Sequence, residues 1–222
     1  THGSGVAIGD VDGDDLPDIY LGRVDGPNAL YRNLGGWRFE DVTEQAGVAA
    51  EDLDATGVSL VDVDGDGDLD LMAAGRGQPN RLFLNDGTGV FTDASDAAGF
   101  NHPGGTTTLA LGDVDGDGDL DAYATNYRVN KAGTVFPPQE RTFDQVVKRR
   151  GDEYVIDDKF KDWYRLKFVP EGIIRFEYGE HDILYLNDGS GSFEAVEWLS
   201  GRFAKSDGSA LDSIPDDWGL TA

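Results

Sequence analysis

The sequence of 222 residues contains no cysteine, which excludes a disulfide framework and a thiolate metal site. Basic residues are also scarce: 18 lysines and arginines stand against 43 aspartates and glutamates, for a formal net charge of −25. Nucleic acid is therefore not expected as a partner, whereas cations and basic surfaces are favoured. No apolar run approaches the roughly 18 residues of a membrane helix, so membrane insertion is not expected.

An acidic stretch of nine residues recurs along the chain. DVDGDGDLD occupies residues 62–70 and 113–121, and DVDGDDLPD occupies residues 10–18, so the stretches begin 52 and 51 residues apart. A second block keeps the same interval, because ALYRNLGGWRF (29–39) aligns with RLFLNDGTGVF (81–91). Its third copy, ILYLNDGSGSF, begins only at residue 183. The third repeat therefore carries an insertion, at roughly residues 128–182.

Each repeat has the composition of a small antiparallel sheet. Four short apolar runs are separated by glycine, asparagine and aspartate, a pattern typical of strands and hairpins. Four strands per repeat predict an all-β fold with the four-stranded blades of a β-propeller. On this interpretation residues 1–222 form a partial propeller with repeats at about 1–52, 53–103 and 104–203. A β-sandwich with similar turn spacing is the alternative, which the fixed interval disfavours.

The end of the sequence resembles the beginning of another repeat. Residues 216–222 include GLTA, which matches the strand that precedes each acidic stretch. We therefore expect three blades plus the first strand of a fourth. A closed propeller has about four to eight blades, so the rest of the same propeller chain is an expected partner. A self-sufficient body of three blades is the alternative, but it would leave strand edges exposed.

The clustering of aspartates predicts cation binding. Two charges about 4 Å apart repel by about 1 kcal/mol in water and about 4 kcal/mol near a protein surface. Calcium takes six to eight oxygen ligands and is bound by acidic loops with ligands at alternate positions. The predicted ligands occupy positions 1, 3, 5, 7 and 9 of each stretch, position 7 through its main-chain carbonyl. They are Asp10, Asp12, Asp14, Leu16, Asp18, Asp62, Asp64, Asp66, Asp68, Asp70, Asp113, Asp115, Asp117, Asp119 and Asp121.

The loop chemistry favours up to three calcium ions over other metals. Zinc prefers histidine or cysteine, which the loops lack, and magnesium prefers to keep several waters. An EF-hand is excluded because position 12 is Leu21, Ala73 or Ala124 instead of glutamate. The first loop has Asp15 where the others have glycine, and Pro17 at position 8, so we expect weaker binding there. A solvated cluster of turns is the alternative for all three loops.

The repeats resemble a known family. GVAIGDVDGDDLPDIYLG, GVSLVDVDGDGDLDLMAAG and LALGDVDGDGDLDAYATN are similar to FG-GAP repeats, also called VCBS repeats, the blades of integrin-α-type propellers. GPNALYRNLGGWRFEDVTEQAGV and GEHDILYLNDGSGSF resemble more narrowly the cartilage-acidic-protein type, which often carries an ASPIC/UnbV domain downstream. The resemblance implies a calcium-stabilised propeller of about seven blades that is secreted or exposed on a surface and that binds rather than catalyses.

The insertion differs in composition from the repeats. Residues 127–182 hold 11 basic and 11 acidic residues together with ten aromatics. Residues 140–150, followed by Gly151, predict a short helix. Alternating apolar and charged residues at 164–168 and 174–178 predict a hairpin. The aromatics either pack as a small satellite core or form a platform that docks a partner.

These features favour a binding or scaffold protein over an enzyme. The expected function is a calcium-binding extracellular propeller that docks a protein or a glycan, with residues 128–182 as the candidate docking segment. Secreted, periplasmic and cell-surface locations all fit. The alternative is a catalytic or non-catalytic subunit of a larger secreted enzyme or redox assembly. The sequence contains no GxSxG, HExxH or phosphate-loop motif, and the three histidines are isolated and expected at the surface.

Overall fold

The computed structural model describes residues 4–214 and consists mainly of antiparallel strands. Three four-stranded sheets follow one another along the chain. The first sheet contains β1 (Val6–Gly9), β2 (Asp18–Leu21), β3 (Ala29–Asn33) and β4 (Phe39–Asp41). The second contains β5 (Ala55–Val61), β6 (Asp70–Gly75), β7 (Arg81–Asn85) and β8 (Phe91–Asp93). The third contains β9 (Thr106–Gly112), β10 (Asp121–Asn126), β15 (Ile183–Asn187) and β16 (Phe193–Ala195).

The expected all-β fold with four-stranded antiparallel sheets is confirmed. In every sheet each strand pairs with the next one in the sheet, so each repeat is a simple meander. The third meander is interrupted between its second and third strands by residues 127–182, yet β10 and β15 pair with Ala124 opposite Ile183. The expected strand at the start of a fourth repeat, residues 216–222, lies outside the described residues.

The sheets stack face to face, and the second sheet lies between the other two. Its neighbouring residues Leu71 and Met72 point to opposite faces because side chains alternate along a strand. Leu71 packs with Tyr20 of the first sheet, whereas Met72 packs with Tyr185 of the third. The first strands of the sheets lie side by side, with β5 next to both β1 and β9. Every residue of β6 is consequently buried.

The first sheet has one face without a covering sheet in the part of the chain that the structure describes. Val6 and Ile8 on this face are 58% and 65% exposed. Their counterparts in the second sheet, Val58 and Leu60, pack against the core that the first two sheets share. In the second sheet this face is covered by the preceding sheet. In the first sheet the equivalent apolar face is exposed.

The segment between β10 and β15 forms a small unit with its own core. It contains two hairpins, β11–β12 (Val147–Arg150 and Glu153–Ile156) and β13–β14 (Tyr164–Val169 and Gly172–Glu177). Short helical turns precede them: α2 (Ala132–Val135), a 3-10 turn (Pro138–Arg141) and α3 (Phe143–Val146). The core cluster consists of Ala132, Val146, Phe160 and Tyr164, with Phe136, Ile156 and Trp163 packed against it.

The helix expected at residues 140–150 is wrong. Only α3, a single turn, lies in this range as α-helix, and residues 147–150 form a strand instead. Gly151 adopts a left-handed φ of 65° in the turn between β11 and β12, so it ends a strand rather than a helix. The hairpin expected at 164–178 is confirmed by β13 and β14. A further helix, α1 (Thr43–Ala46), follows the first sheet, and no helix within residues 4–214 is long and apolar enough to cross a membrane.

Candidate metal centres in the acidic loops

The three acidic loops, residues 10–18, 62–70 and 113–121, connect the first two strands of each sheet. In the second loop the Asp62 carboxylate accepts hydrogen bonds from the backbone N–H groups of Gly65 (2.8 Å) and Gly67 (3.0 Å). Asp113 accepts the equivalent bonds from Gly116 (2.7 Å) and Gly118 (3.2 Å) in the third loop. The loop backbone therefore curls around the carboxylate at position 1.

The aspartate at position 9 anchors each loop to its sheet. Asp70 is fully buried at the start of β6, where its Oδ2 accepts from Val63 N (3.0 Å) and its Oδ1 from Asn85 N (2.9 Å). Asp18 and Asp121 are equally buried and accept the corresponding pairs of bonds. Both oxygens of each aspartate thus have a structural partner, although a carboxylate oxygen keeps a second lone pair for a cation.

Part of each predicted ligand set converges. In three groups of carboxylates, one oxygen from each member lies within 4.8 Å of the others: Asp10, Asp12 and Asp18; Asp62, Asp64 and Asp66; Asp113, Asp115 and Asp121. Five further aspartates of the predicted sets and Leu16 lie outside these groups: Asp14, Asp68, Asp70, Asp117 and Asp119. These clusters, which contain oxygen ligands alone, could hold a hard metal ion.

Two aspartates at position 7 point toward the following hairpin instead of the cluster. A Cβ built on Gly87 would overlap the Asp68 carboxylate, and one on Gly189 would overlap that of Asp119. Both glycines also have left-handed φ angles, 78° and 76°. These two hairpin positions therefore require glycine, and the main-chain carbonyl of position 7 stays a predicted ligand.

Burial of the clustered carboxylates disfavours their charged forms. Burial, together with the smaller effect of the neighbouring Asp64 and Asp66 charges, raises the pKa of Asp70 to about 6, against the backbone hydrogen bonds that lower it. Burial, followed by neighbouring carboxylates, also raises the pKa of Asp64 and Asp115. A bound cation would reverse this effect by stabilising the ionised forms.

The raised pKa of Asp70 predicts a pH dependence of the metal-free chain. Between its ordinary pKa of 3.8 and about 6, the folded chain keeps a proton that the unfolded chain has released. The contribution of Asp70 to the free energy of unfolding therefore falls as the pH rises through this window, by roughly 3 kcal/mol in total. Carboxyl NMR titration in excess chelator should show Asp70 titrating near pH 6, and calcium should move it below its ordinary value. Ordinary titration near pH 4 in chelator would contradict the burial argument.

The first loop departs from the other two. Asp15 adopts a left-handed φ of 67° where Gly67 and Gly118 have 97° and 102°. A feature that the sequence analysis did not predict is Arg32, whose Nε lies 2.5 Å from Asp12 Oδ2. Comparison of the repeats could have indicated it, because the residues aligned with Arg32 are Leu84 and Leu186.

An asparagine at the end of the third strand joins neighbouring repeats, and sequence analysis missed this role also. Asn85 Nδ2 donates to the Leu69 carbonyl of its own loop (3.1 Å) and to the Val11 carbonyl of the preceding loop (2.8 Å). Asn187 donates in the same way to Leu120 (3.2 Å) and Val63 (2.7 Å). We call this arrangement the sheet junction. Its sequence signal is the Asn-Asp-Gly that follows the third strand in repeats two and three.

A cleft of about 530 Å³ lies at the opposite end of the third sheet, where Asn126 ends β10. Its lining includes His102, Arg128, Tyr178, Glu180 and Trp198. The Arg128 guanidinium carbon lies 5.0 Å from the centre of the Tyr178 ring. Burial lowers the pKa of His102, whereas the charge of Glu180 opposes that shift. His102 and His181 therefore both border the cleft, while His2 lies outside the described residues.

One carboxylate of the cleft has a structural role. Asp182 Oδ1 accepts from Asn126 N (2.7 Å) and its Oδ2 from the Tyr123 hydroxyl (3.2 Å). The aligned residue Asn80 accepts from Gly75 N in the second sheet, and Asn28 accepts from Arg23 N in the first. Asp182 thus closes the connection between the second and third strands, as the two asparagines do in the other sheets.

Comparison with known proteins agrees with the repeat pattern. The family model described as "FG-GAP-like repeat" matches residues 10–73 and 62–124. Cartilage acidic protein 1 of Homo sapiens is 29% identical over 162 residues, which are 71% of this chain and 23% of that protein. Cartilage acidic protein 1 of Xenopus tropicalis is 31% identical over 140 residues, covering 61% of this chain and 22% of its own length. The chain spans about a quarter of the length of these relatives.

Proposed function

Because this chain belongs to the FG-GAP-like repeat family, we propose that it forms part of a calcium-stabilised β-propeller that acts as an extracellular binding or scaffold module. The observation that carries the proposal is the set of three oxygen-only carboxylate clusters at equivalent places in three stacked sheets. Calcium prefers this donor chemistry, and the raised pKa of Asp64, Asp70 and Asp115 indicates uncompensated charge that a cation would stabilise.

The second and third loops have matching ligand sets. The second would use Asp62, Asp64, Asp66 and Asp70 with the carbonyl of Asp68, and the third the five aligned residues Asp113, Asp115, Asp117, Asp121 and Asp119. A bound ion supplies charge neutralisation and cross-links the loop to its sheet. Because each loop also carries the carbonyl of a sheet junction, rigid loops would keep neighbouring sheets in register.

The sheet junctions support a longer propeller. Val11 and Val63, at position 2 of the first two loops, are 4% and 2% exposed because the following repeat covers them. Val114, at the same position of the third loop, is 59% exposed. A further sheet with an asparagine at the same place would cover Val114 and donate to its carbonyl. Repeated sheets stacked in this way close into a ring at about four to eight blades.

Calcium availability and the relatives favour an exported location, whether secreted, periplasmic or at the cell surface. Loops of extracellular modules bind calcium with dissociation constants of about 10⁻⁴ to 10⁻³ M, so weak sites fill only where calcium is abundant. The curated relatives are named as acidic proteins of cartilage, and this chain is also strongly acidic, with a net charge of −25.

The cleft and the segment between β10 and β15 are the proposed partner surface. The cleft volume is within the range of about 300–1,000 Å³ of small-ligand sites. The neighbouring segment exposes aromatic side chains, including Phe168 at 65%, and aromatic residues are enriched at interfaces. A protein or glycan partner fits this surface. The competing function, a subunit of a larger secreted enzyme or redox assembly, would also use the cleft.

The partner surface can be tested by a loop replacement. Residues 127–181 are exchanged for residues 76–79, which connect the corresponding strands of the second sheet, and Asp182 is kept because it caps Asn126 N. We expect calcium-dependent binding to immobilised matrix proteins or glycans by the natural chain, and at least a tenfold weaker affinity for the replacement. Substitution Val90→Ser, on a distant hairpin, is the matched surface control. Equal binding by the replacement would contradict the role of this segment, and turnover of a polysaccharide would favour the enzyme.

A further inference from the structure

One side chain distinguishes the first acidic loop from the other two. Arg32 is the last residue before the asparagine in the first sheet, and the aligned residues of the other sheets are Leu84 and Leu186. From this position Arg32 Nε reaches Asp12 Oδ2 at 2.5 Å, and its Nη2 lies 3.8 Å from Asp14 Oδ2. Asp12 and Asp14 are positions 3 and 5 of the first loop, which are two of its predicted ligands.

The contact between Arg32 and Asp12 is more than a surface ion pair. The Asp12 side chain is only 9% exposed, because the hairpin of the second sheet packs over it. At the aligned places, Leu84 packs against the core between the second and third sheets and offers no charge. The first loop is therefore the one among the described acidic loops whose buried position-3 carboxylate has a cationic partner within the chain.

We propose that Arg32 takes the place of the calcium ion in the first loop, so that the first repeat is held by a built-in cation and the chain binds two ions rather than three. This inference rests on the proposed function of the second and third loops. Calcium requires six to eight oxygen ligands, and Arg32 occupies one oxygen of Asp12 and faces Asp14. The other Asp12 oxygen, Oδ1, lacks a hydrogen-bond partner among the described residues, whereas the Asp10 and Asp18 oxygens that converge with Asp12 already accept backbone hydrogen bonds. With Oδ2 of Asp12 taken by Arg32, the first loop offers one carboxylate oxygen fewer than the other two loops.

A dication would also meet the positive charge of the guanidinium at short range. Arginine stays protonated at all accessible pH values, so this charge does not switch off. The three loops should therefore differ in their response to calcium removal. When calcium is withdrawn, the second and third loops lose their cation, whereas the first loop keeps its own.

The number of bound ions tests this inference on the full chain. We expect native mass spectrometry and calorimetry to find two calcium ions on the natural protein and three on Arg32→Leu. The reciprocal substitution Leu186→Arg should reduce the number to one, because it brings the same cation to the third loop. Arg38→Leu is the matched control and should leave two ions. Arg38 lies in the same hairpin, but among the described residues its side chain donates to the carbonyls of Gly35 and Leu34 and to no carboxylate.

Amide hydrogen exchange gives a second readout that does not depend on any variant folding. Excess chelator should accelerate exchange at Gly65 and Gly67 by at least tenfold and leave Gly13 and Asp15 within about twofold. Three ions on the natural chain, or equal acceleration in both loops, would overturn the role of Arg32 while leaving the proposed calcium binding intact. No ions on either the natural chain or Arg32→Leu would overturn the proposed function and this inference with it.

Discussion

Removal of calcium is expected to lower the melting temperature of the chain by roughly 10–20 °C. An ion present at 100 times its dissociation constant stabilises the folded state by about 2.7 kcal/mol per site. Two sites therefore contribute about 5 kcal/mol, and each kcal/mol corresponds to about 2–4 °C in a chain of this size. Scanning calorimetry with excess calcium and then with excess chelator measures the difference directly. Magnesium at the same concentration should restore only a minor part of the lost melting temperature, because it prefers to retain its waters.

The double substitution Asp66→Asn and Asp117→Asn provides the control. Each side chain keeps an oxygen for the loop hydrogen bond that it accepts, from Asp68 N and Asp119 N respectively. In calcium the variant should melt at a lower temperature than the natural chain, because each site loses a charged ligand. In chelator it should melt at the same or a higher temperature, because like-charge repulsion is reduced. A natural chain whose melting temperature is unchanged by chelator would rule out calcium as a stabilising ligand.

Loss of a sheet junction is the second large expected effect. Asn85→Ala should lower the free energy of unfolding by about 2–4 kcal/mol. The substitution leaves the carbonyls of Val11 and Leu69 without their donor in a buried place, and it also removes the acceptor of Gly89 N. An unpaired buried polar group costs about 1–3 kcal/mol. Urea denaturation in excess calcium measures the change.

Asn33→Ala is the matched control for the junction. Asn33 occupies the aligned position of the first sheet and donates to Pro17 of its own loop, but the structure describes no preceding loop for it to join. The decrease in the free energy of unfolding should therefore be at most about half of the decrease for Asn85→Ala. Equal losses at the two positions would show that the bond between repeats contributes little, and the stabilising role assigned to the junction would then be wrong.

The strands and the position of the acidic loops follow from local sequence. Apolar runs between glycine and aspartate clusters indicate the strands of each repeat, because strand alternation and turn chemistry act over only a few residues. The hairpin of β13 and β14 is predictable for the same reason. The helix expected at residues 140–150 fails because residues 147–150 pair with 153–156 as a strand. Helical propensity is a weak preference that such pairing overrides.

The candidate site also has one part that is predictable from local sequence and one part that is not. The sequence by itself determined the repeat, the four-stranded sheets, and the aspartates that could hold a cation, since all of these depend on residues a short distance apart. Only the tertiary structure decided that Arg32 lies against Asp12 and that Asn85 reaches Val11, which lies 74 residues away. It also decided that residues 127–182 build a cleft beside the third sheet. These contacts depend on how the sheets stack, and stacking brings together side chains whose separation along the chain carries no local signal.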